Sequence, residues 1–319
     1  MIKKIKNEIS TRYKTTRVNL RYISVLKKKE ITERPKIIFC CDGLFSHGGL
    51  LDRIKGIVSF YEVAKILGYD FHIYFNDPFD LAVFLEPNAV SWQIDSNKMK
   101  FNYLDTKVLY LMNNFDCNPI DEIKKTKSKN YLVYANVDYL ATIYKQNSQK
   151  DNEQLWRSNF NELFRKSMLL ENELVSLLSS KRLVFHLRFT SLMGDFNDTT
   201  RHVLNVDARM LLIHKIMKKI DENVLSHPDK IIYVLSDSAF FLEYIKRNTK
   251  YNVLAGSPEH VDFSKGTTTA NQSHLKTFSD FYFMVESDEV VMLRLDGMYS
   301  SSFSKYAAIL GGKKFSIIQ

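Results

Sequence analysis

The stretch PKIIFCCDGLFSHGGLLDRIKGIVSFYEVAKILGYDFHIYF, residues 35–75, holds the pattern that decides the fold. Residues 35–41 begin with a proline and a lysine, continue with five apolar residues and predict a buried strand. Residues 69–75 predict a second one. Between them, a polar loop with glycines precedes apolar residues at helical spacing from Ile54 to Leu67, where a glycine ends the pattern. Strand, loop, helix and strand in this order form a βαβ unit, so we expect parallel pairing and a right-handed crossover.

The alternation of strands and helices continues beyond this unit. Residues 107–112 and 131–135 predict two more strands of the same sheet. After the polar run at 145–154, apolar spacing predicts one long helix over 155–180 and a strand that begins at Arg182. Further strands are predicted at 230–236, 251–255, 288–295 and 314–318, and helices at 208–225, 238–248, 269–287 and 302–311. Continuously apolar strands are expected where helices cover both faces of a sheet, so we predict two doubly wound α/β halves, one on each side of the polar run.

Composition is typical of a globular protein. The chain has 319 residues, of which 45% are apolar and 25% are charged, and this length suits two ordinary domains. No apolar run reaches the roughly 18 residues that a membrane-spanning helix needs, and the amino terminus lacks the apolar core of a secretory signal. Three cysteines are too few for a disulfide framework, so we expect reduced thiols and a cytoplasmic location.

The positive charge is concentrated at the amino terminus. The formal net charge is +9, and residues 1–36 hold 12 Lys and Arg against 3 Asp and Glu, so the rest of the chain is balanced. A nucleic-acid enzyme normally spreads its basic surface over the folded body, so we expect no nucleic-acid partner. Apolar residues recur at helical spacing from Ile2 to Tyr13, which predicts either an amphipathic segment on an anionic membrane surface or a solvated leader. The predicted division is a basic leader at 1–36, a first domain at 37–150 and a second at 151–319.

The stretch RLVFHLRFTSLMGD, residues 182–195, contains the first candidate site residues. Its apolar strand carries His186 and Arg188, which are two residues apart and therefore on one face. Ligands of parallel sheets bind beyond the carboxyl ends of the strands, which is where this pair lies. A buried guanidinium without a partner is costly, so Arg188 needs either a ligand anion or an internal salt bridge.

HLRFTSLMGD resembles the His-x-Arg motif of the α-fucosyltransferase superfamily, which includes nodulation and surface-glycan, core α1,6-, α1,2- and xyloglucan fucosyltransferases. Three further stretches follow the order of that family: residues 48–68 are similar to its glycine-rich segment, 232–246 to its strand ending in Ser-Asp, and 279–312 to its last motif. The resemblance implies a GT-B-like fold, with two Rossmann-like doubly wound domains facing a cleft. It also implies a GDP-fucose donor held mainly by the second domain, with no metal and no cofactor.

The resemblance assigns roles to several residues of the second domain. Arg188 matches the family arginine that binds the donor diphosphate, and a bidentate guanidinium suits phosphate oxygens. His186 matches the histidine beside the nucleotide, and a satisfied core histidine is the alternative. Ser301, Ser302 and Phe303 open a helix whose amino terminus can hold an anion, although ordinary capping would also explain the serines.

Two aspartates complete the predicted donor site. Asp280 matches the family aspartate that reads guanine, because a carboxylate accepts from both N1–H and the 2-amino group. The alternative is a solvent-facing helix residue. Asp237 lies at a strand end where the family aspartate shapes the nucleotide pocket, and helix capping is the equally simple alternative.

The first domain contributes a glycine-rich turn to this prediction. Gly48 and Gly49 would let the backbone approach the donor closely, and Asp52 and Arg53 would reach across the cleft. A lone Gly-Gly turn is a weak signal, so this part of the site depends on the resemblance.

The acceptor side departs from the family pattern. Core fucosyltransferases carry a glutamate a few residues past the motif arginine, and Phe196 holds that position here. The acceptor hydroxyl needs a base, and we predict Asp195 with Asp198 as second choice, although both could be plain loop carboxylates. Trp92 is a candidate for stacking on the acceptor, and His47 for facing the cleft.

The predicted function is that of an inverting enzyme that moves fucose from GDP-fucose to a glycan hydroxyl. A bacterial surface glycan or a lipid-linked glycan is the expected acceptor, and the basic leader would hold the cytoplasmic enzyme at the inner membrane face. Two alternatives stay open: a GT-B glycosyltransferase that uses another nucleotide sugar, and a non-catalytic relative that binds a nucleotide or glycan.

Overall fold

A computed structural model describes residues 2–28, 34–175, 181–196, 202–256 and 270–319. The chain divides into two compact units, Met1–Arg165 and Lys166–Gln319. The strands are β1 Ile23–Ser24, β2 Lys36–Cys41, β3 Asp70–Phe75, β4 Leu85–Pro87, β5 Phe101–Asn102, β6 Thr106–Leu111, β7 Asn130–Ala135, β8 Phe164–Lys166, β9 Arg182–Leu187, β10 Ile231–Ser236, β11 Glu289–Leu293 and β12 Lys314–Ile318. The α-helices are α1 Ile2–Tyr22, α2 Leu50–Leu67, α3 Pro119–Lys124, α4 Leu140–Ile143, α5 Gln149–Leu163, α6 Met168–Val175, α7 Val206–Val224, α8 Ala239–Asn248, α9 Ala270–Val285 and α10 Ser302–Gly311.

The first unit is built on a four-stranded parallel sheet in the order β3-β2-β7-β6. The chain passes from β2 to β3 on one side and then reaches β6 and β7 on the other, so the strand order reverses between β2 and β7. Helix α2 packs closely on this sheet. A Cβ at Gly56 would lie 2.7 Å from Phe39 and 2.9 Å from the Ala135 carbonyl, so only glycine permits this approach.

The second unit is built on another four-stranded parallel sheet, in the order β10-β9-β11-β12. Here the order reverses between β9 and β11. Leu183, Phe185 and Leu187 of β9 are fully buried in a core that also contains Ile213 and Ile216 of α7. The predicted parallel α/β sheets are therefore confirmed in both units.

Two predicted elements differ in the structure. The helix predicted over 155–180 ends at Leu163, because the chain becomes the short strand β8 at Phe164 before α6 begins. The Leu163 carbonyl accepts the Trp92 indole N–H at 2.8 Å, and Phe164 packs edge-on against the same indole. The strand predicted at 251–255 is reduced to a single bridge between Asn252 and Tyr233 of β10.

The boundary between the units follows Arg165 rather than residue 150. Helix α5 is tied to α2 through buried and part-buried polar contacts, which explains why it belongs to the first unit. Asn159 donates to Glu62 at 2.8 Å, Lys65 donates to Asn159 at 2.5 Å, and Tyr61 donates to Glu162 at 2.7 Å. The polar run that predicted a linker is instead the start of α5.

The carboxyl-terminal half of α1 is packed into the first unit and is not a separate leader. Val18 is fully buried and Tyr22 is 4% exposed, and both join the core beside Ile38. Tyr13, the last member of the predicted apolar stripe, is 65% exposed. The side chains of residues 2–9 lie outside the described part of the chain. Among the residues that the structure describes, no helix combines the length and apolar character needed to cross a membrane.

A buried carboxylate connects α1 to the sheet. Asp42 follows β2, and its side chain accepts hydrogen bonds from Tyr22 Oη at 2.5 Å and from Tyr134 Oη at 2.8 Å. The Leu44 amide donates to the same carboxylate at 3.1 Å. Burial, followed by the hydrogen bond to Asp42, raises the pKa of Tyr22 well above its ordinary value, so the hydroxyl stays a donor.

We expect Tyr22→Phe to lower the free energy of unfolding of the first unit by about 1.5–3 kcal/mol, because a hydrogen bond to a buried charge is lost. Tryptophan fluorescence during urea unfolding reports this unit, since Trp92 and Trp156 both lie in it. The matched control is Tyr13→Phe, whose exposed side chain should change stability by less than about 0.5 kcal/mol. Equal effects of the two variants would contradict the role of Asp42.

Candidate functional site

The site is built around the carboxyl end of β9, at the point where the second sheet reverses its strand order. His186 is opposite Met292 of β11 in the strand register, and Arg188 follows the last residue of β9. Helices leave β10 and β11 at this same edge, so the loops after these strands surround the two side chains. In doubly wound sheets this is where ligands bind.

Arg188 forms an internal salt bridge. Its Nε lies 3.3 Å from Oδ2 of Asp237, and the two side chains are 20% and 3% exposed. Its guanidinium carbon lies 4.6 Å from the centroid of the Phe196 ring, a cation–π contact. Of the two partners predicted for Arg188, a ligand anion or an internal salt bridge, the structure shows the salt bridge. One fifth of the Arg188 side chain remains accessible to solvent despite this pair.

Asp237 also fixes the turn that follows β9. Its Oδ1 accepts from the Phe189 amide and its Oδ2 from the Thr190 amide, both at 2.8 Å. Thr190 has φ 57°, a left-handed conformation that is unfavourable for a β-branched residue and needs such support. Burial raises the pKa of Asp237, while the Arg188 charge and the two amide donors act in the opposite direction.

His186 is a buried, neutral group. It is 6% exposed, and its Nδ1 lies 3.2 Å from Oγ of Ser304. Burial, followed by the nearby Arg188 charge, lowers the pKa of His186 to about 3, so the imidazole is uncharged at pH 7. Its ring centroid lies 5.6 Å from that of Phe303, which places the imidazole against the start of α10.

The amino terminus of α10 forms one wall of this region. Ser301 caps the helix, since its Oγ accepts from the Phe303 amide at 3.2 Å. Ser301, Ser302 and Phe303 are all partly exposed, so this helix end is accessible. The Phe303 ring lies 5.4 Å from that of Phe281 in α9, next to Asp280 in the chain.

Asp280 lies on α9 and forms a buried ion pair with Lys276 one turn earlier. The two residues are each 8% exposed, which excludes the alternative of a solvent-facing aspartate. Burial raises the pKa of Asp280, and the Lys276 charge opposes that shift. Sequence reasoning missed Lys276, although a Lys and an Asp four residues apart on a predicted helix are a recognisable pair.

Asp195, the predicted catalytic base, holds the start of α8. Its Oδ2 accepts from the Phe240 amide at 2.6 Å and from Ser238 Oγ at 3.0 Å. Asp195 itself is exposed to solvent. Asp198, the second choice, lies outside the described residues. Phe196, at the family glutamate position, is buried under Arg188 and offers no proton acceptor.

The glycine-rich turn of the first unit is a compact helix start. Gly48 has φ 84°, and a Cβ there would lie 2.6 Å from Oδ2 of Asp52, so this position requires glycine. The Gly49 amide donates to the same Asp52 oxygen at 3.2 Å. Arg53 was predicted to reach outward, but it is 2% exposed, and its Nη1 donates to the Gly48 and Gly49 carbonyls. The guanidinium therefore shapes the turn from inside.

The two weaker acceptor-side candidates are core residues. Trp92 is 1% exposed, and its indole N–H is used within the first unit by the Leu163 carbonyl. His47 is also 1% exposed and packs between Phe39 and Tyr134. Trp92 was predicted to stack on the acceptor and His47 to face the cleft, but the surrounding core explains both of them.

Within the second unit, the structure brings the predicted residues into one connected group. His186 contacts the start of α10, the Arg188 carbonyl accepts from the Tyr299 amide at 3.0 Å, and Arg188 pairs with Asp237. Ser304 was missed, although it follows the predicted Ser301–Phe303 segment directly. In the part of the chain that the structure describes, no three His, Cys, Asp or Glu side chains converge as metal ligands.

We expect Asp237→Asn to lower the free energy of unfolding of the second unit by about 2–4 kcal/mol, because it removes the charge beside Arg188 and one amide acceptor. Hydrogen exchange at the Thr190 amide should accelerate in parallel. The matched control is Asp296→Asn, which breaks an exposed pair with Lys215 and should cost less than about 1 kcal/mol. Unchanged protection of Thr190 in the Asp237 variant would contradict this role.

Comparison with known proteins supports the fold at low sequence identity. No family model and no curated protein sequence matches the chain. An Arabidopsis thaliana FUT1 mutant in complex with GDP aligns with a TM-score of 0.59 over 99% of this chain and 78% of that one, at 13% identity. NodZ α-1,6-fucosyltransferase co-crystallised with GDP aligns with a TM-score of 0.55 over 88% and 93% of the two chains, at 16% identity. NodZ from Bradyrhizobium gives 0.53 at 15% identity. The chain thus shares the fold of these fucosyltransferase structures, as the resemblance of its motifs predicts.

Proposed function

We propose that this chain is a glycosyltransferase that transfers fucose from GDP-fucose to a glycan hydroxyl with inversion at the anomeric carbon. The observation that carries the proposal is Arg188, whose side chain is partly exposed at the carboxyl end of β9, where the second sheet reverses its order. The chain shares its fold with fucosyltransferases whose structures contain GDP or were soaked with GDP-fucose.

In this proposal, the donor diphosphate lies between Arg188 and the amino terminus of α10. The salt bridge to Asp237 uses Nε of Arg188 and orients the planar guanidinium, and the diphosphate would approach from the accessible side of this side chain. The partly exposed amino terminus of α10 at Ser301 and Ser302 would add a second anion-stabilising element. Charge on the departing GDP would then be neutralised by these groups without a metal.

The guanosine part would lie toward α9. Asp280 would accept from N1–H and the 2-amino group of guanine, since one of its oxygens faces Lys276 and a carboxylate has capacity for several donors. His186 and Phe303 would pack beside the nucleotide as a neutral, largely apolar wall. A nucleotide that lacks these two guanine donors would form fewer hydrogen bonds with Asp280 and would bind more weakly.

The transfer step is a single displacement. A base takes the proton of the acceptor hydroxyl, its oxygen forms a bond to the anomeric carbon, and the bond from that carbon to the phosphate oxygen breaks, so GDP leaves with the electron pair. Asp195 is the proposed base because its exposed carboxylate lies on the same loop as Arg188, with Asp198 as second choice.

The remaining assignments belong to the same proposal. The two units would form a GT-B-like pair in which the second unit holds the donor and the Gly48–Gly49 turn belongs to the acceptor-side unit. The acceptor would be a bacterial surface glycan or a lipid-linked glycan, handled by a cytoplasmic enzyme at the inner membrane face.

We expect Arg188→Lys to weaken GDP binding by about 10–100-fold, because lysine keeps the charge beside Asp237 but loses the bidentate fork. Isothermal titration calorimetry measures the dissociation constant directly. Arg247→Lys, in an exposed pair with Glu243, is the matched control and should leave GDP binding unchanged. A change below about twofold in the Arg188 variant would remove the diphosphate assignment.

We expect Asp280→Asn to weaken GDP by at least about tenfold while UDP and ADP change little, because the guanine donors lose their charged acceptor. The substitution leaves Lys276 buried beside a neutral side chain. The double variant Lys276→Met/Asp280→Asn removes that unpaired charge, so the measurement does not depend on the stability of the single variant. Equal losses for all three nucleotides would show that Asp280 does not read the base.

A second candidate function is nucleotide binding without transfer. It is favoured by Phe196 at the family glutamate position and by the contacts of Asp195 with α8. Release of GDP from GDP-fucose, measured with an acceptor panel, separates the two. Tight GDP binding without acceptor-dependent release would favour the binding protein, whereas release that Asp195→Asn abolishes would favour the transferase.

A further inference from the structure

A second cationic region lies in the first unit, at the edge of the sheet opposite to the carboxyl ends of its strands. A cavity of about 290 Å³ opens beside Lys36 and Asn130, the first residues of β2 and β7. Its lining also includes residues from the segment after α1 and from the 3₁₀ turn Ser96–Lys98. This cavity therefore does not lie at the carboxyl ends of the strands, where ligands of parallel sheets usually bind.

The charge of the lining is entirely positive. None of the described residues that line the cavity carries a carboxylate, whereas five of them carry an ammonium group: Lys27, Lys28, Lys36, Lys98 and Lys100. Such a concave cationic surface concentrates the electrostatic potential and attracts anions. An anion bound there would also relieve the mutual repulsion of the lysines.

Two buried polar groups in the lining point to a ligand independently of the lysines. Asn130 is 1% exposed, and its side-chain Oδ1 has no hydrogen-bond partner. His72 lines the same cavity, and its buried Nδ1 also has none. Buried polar groups normally have a hydrogen-bond partner, so a ligand in the cavity would explain why these two atoms have none within the protein. The Asn130 amide can present its NH₂ group by a rotation about its terminal bond.

We propose that this cavity binds a ligand through a phosphate or pyrophosphate group. Ammonium groups donate to such an oxyanion, and the Asn130 amide does so through its NH₂ group and the imidazole through a protonated ring nitrogen. No lining carboxylate among the described residues opposes it. A water molecule takes about 30 Å³ of liquid volume, so the cavity holds a pyrophosphate-sized anion together with several waters. The site lies in the first unit, whereas the proposed donor site lies in the second, and neither proposal rests on the other.

The direct test is calorimetry of the full chain with inorganic pyrophosphate, performed in the presence and absence of saturating GDP. The variant Lys28→Gln/Lys98→Gln removes two exposed ammonium groups from the lining and should weaken pyrophosphate by at least about tenfold without changing the affinity for GDP. Lys145→Gln/Lys150→Gln removes the same charge from an exposed part of the same unit and should have no effect. Equal affinity in both double variants would overturn the proposal.

A second arm identifies the source of the phosphate group. The same proteins are sedimented with phosphatidylcholine vesicles that contain phosphatidylglycerol. Pyrophosphate binding without vesicle binding, lost in the lining variant, indicates a soluble phosphorylated ligand. Vesicle binding that only the lining variant loses indicates a lipid headgroup. Absence of both, or vesicle binding lost equally in both double variants, contradicts a built site.

Proton uptake at His72 on binding provides a further test, because a general loss of positive charge would not change it. Burial, followed by the Lys36 charge, lowers the pKa of His72, and Lys98 acts in the same direction. Asp70 and the backbone of Trp92 oppose this shift. An anion at Nδ1 would raise the pKa of His72 again, so the unaltered chain should take up more protons on binding than the His72→Gln variant does. Calorimetry in buffers of different ionisation enthalpy measures this uptake. His72→Gln should reduce it relative to the unaltered chain, and equal uptake would exclude contact between the anion and His72.

Discussion

The second unit depends on one buried carboxylate at the end of a strand. Asp237 receives two backbone amides from the turn after β9 and pairs with the arginine that leads into that turn. Because these contacts converge on a single group, the position of Arg188 and the left-handed conformation of Thr190 are set together. An isolated guanidinium would be mobile or costly to bury. Paired with Asp237 along one edge, it is oriented while part of its surface remains accessible.

Most of the fold could be predicted from sequence because the strands are continuously apolar and the helices have a regular apolar spacing. The βαβ unit at residues 35–75 and the helix that Ser302 begins follow local patterns of this kind. The failures occurred where distant residues decide the structure. The break after Leu163 depends on Trp92, and the packing of α1 depends on Asp42, neither of which is near in sequence. Local periodicity carries no information about such partners.

The sequence predicted which residues belong to the candidate site, but it did not predict which groups those residues contact. The order of the motifs places His186, Arg188 and Asp237 in one site, and the sheet register does bring them to one edge. Their partners depend on tertiary packing. An aromatic ring under Arg188 could not be anticipated at a position where the motif resemblance predicted an acid. Arg53 shows the converse error, since a charged residue beside glycines looks exposed in sequence but is buried in the structure.

The central claim is that the diphosphate of GDP binds at Arg188, and a crystal structure with bound GDP tests it most directly. We predict phosphate oxygens within about 2.7–3.2 Å of the Arg188 guanidinium, with Asp237 still at Nε. GDP bound away from the end of β9, or a guanidinium that contacts only protein groups while the nucleotide is bound elsewhere, would contradict the account.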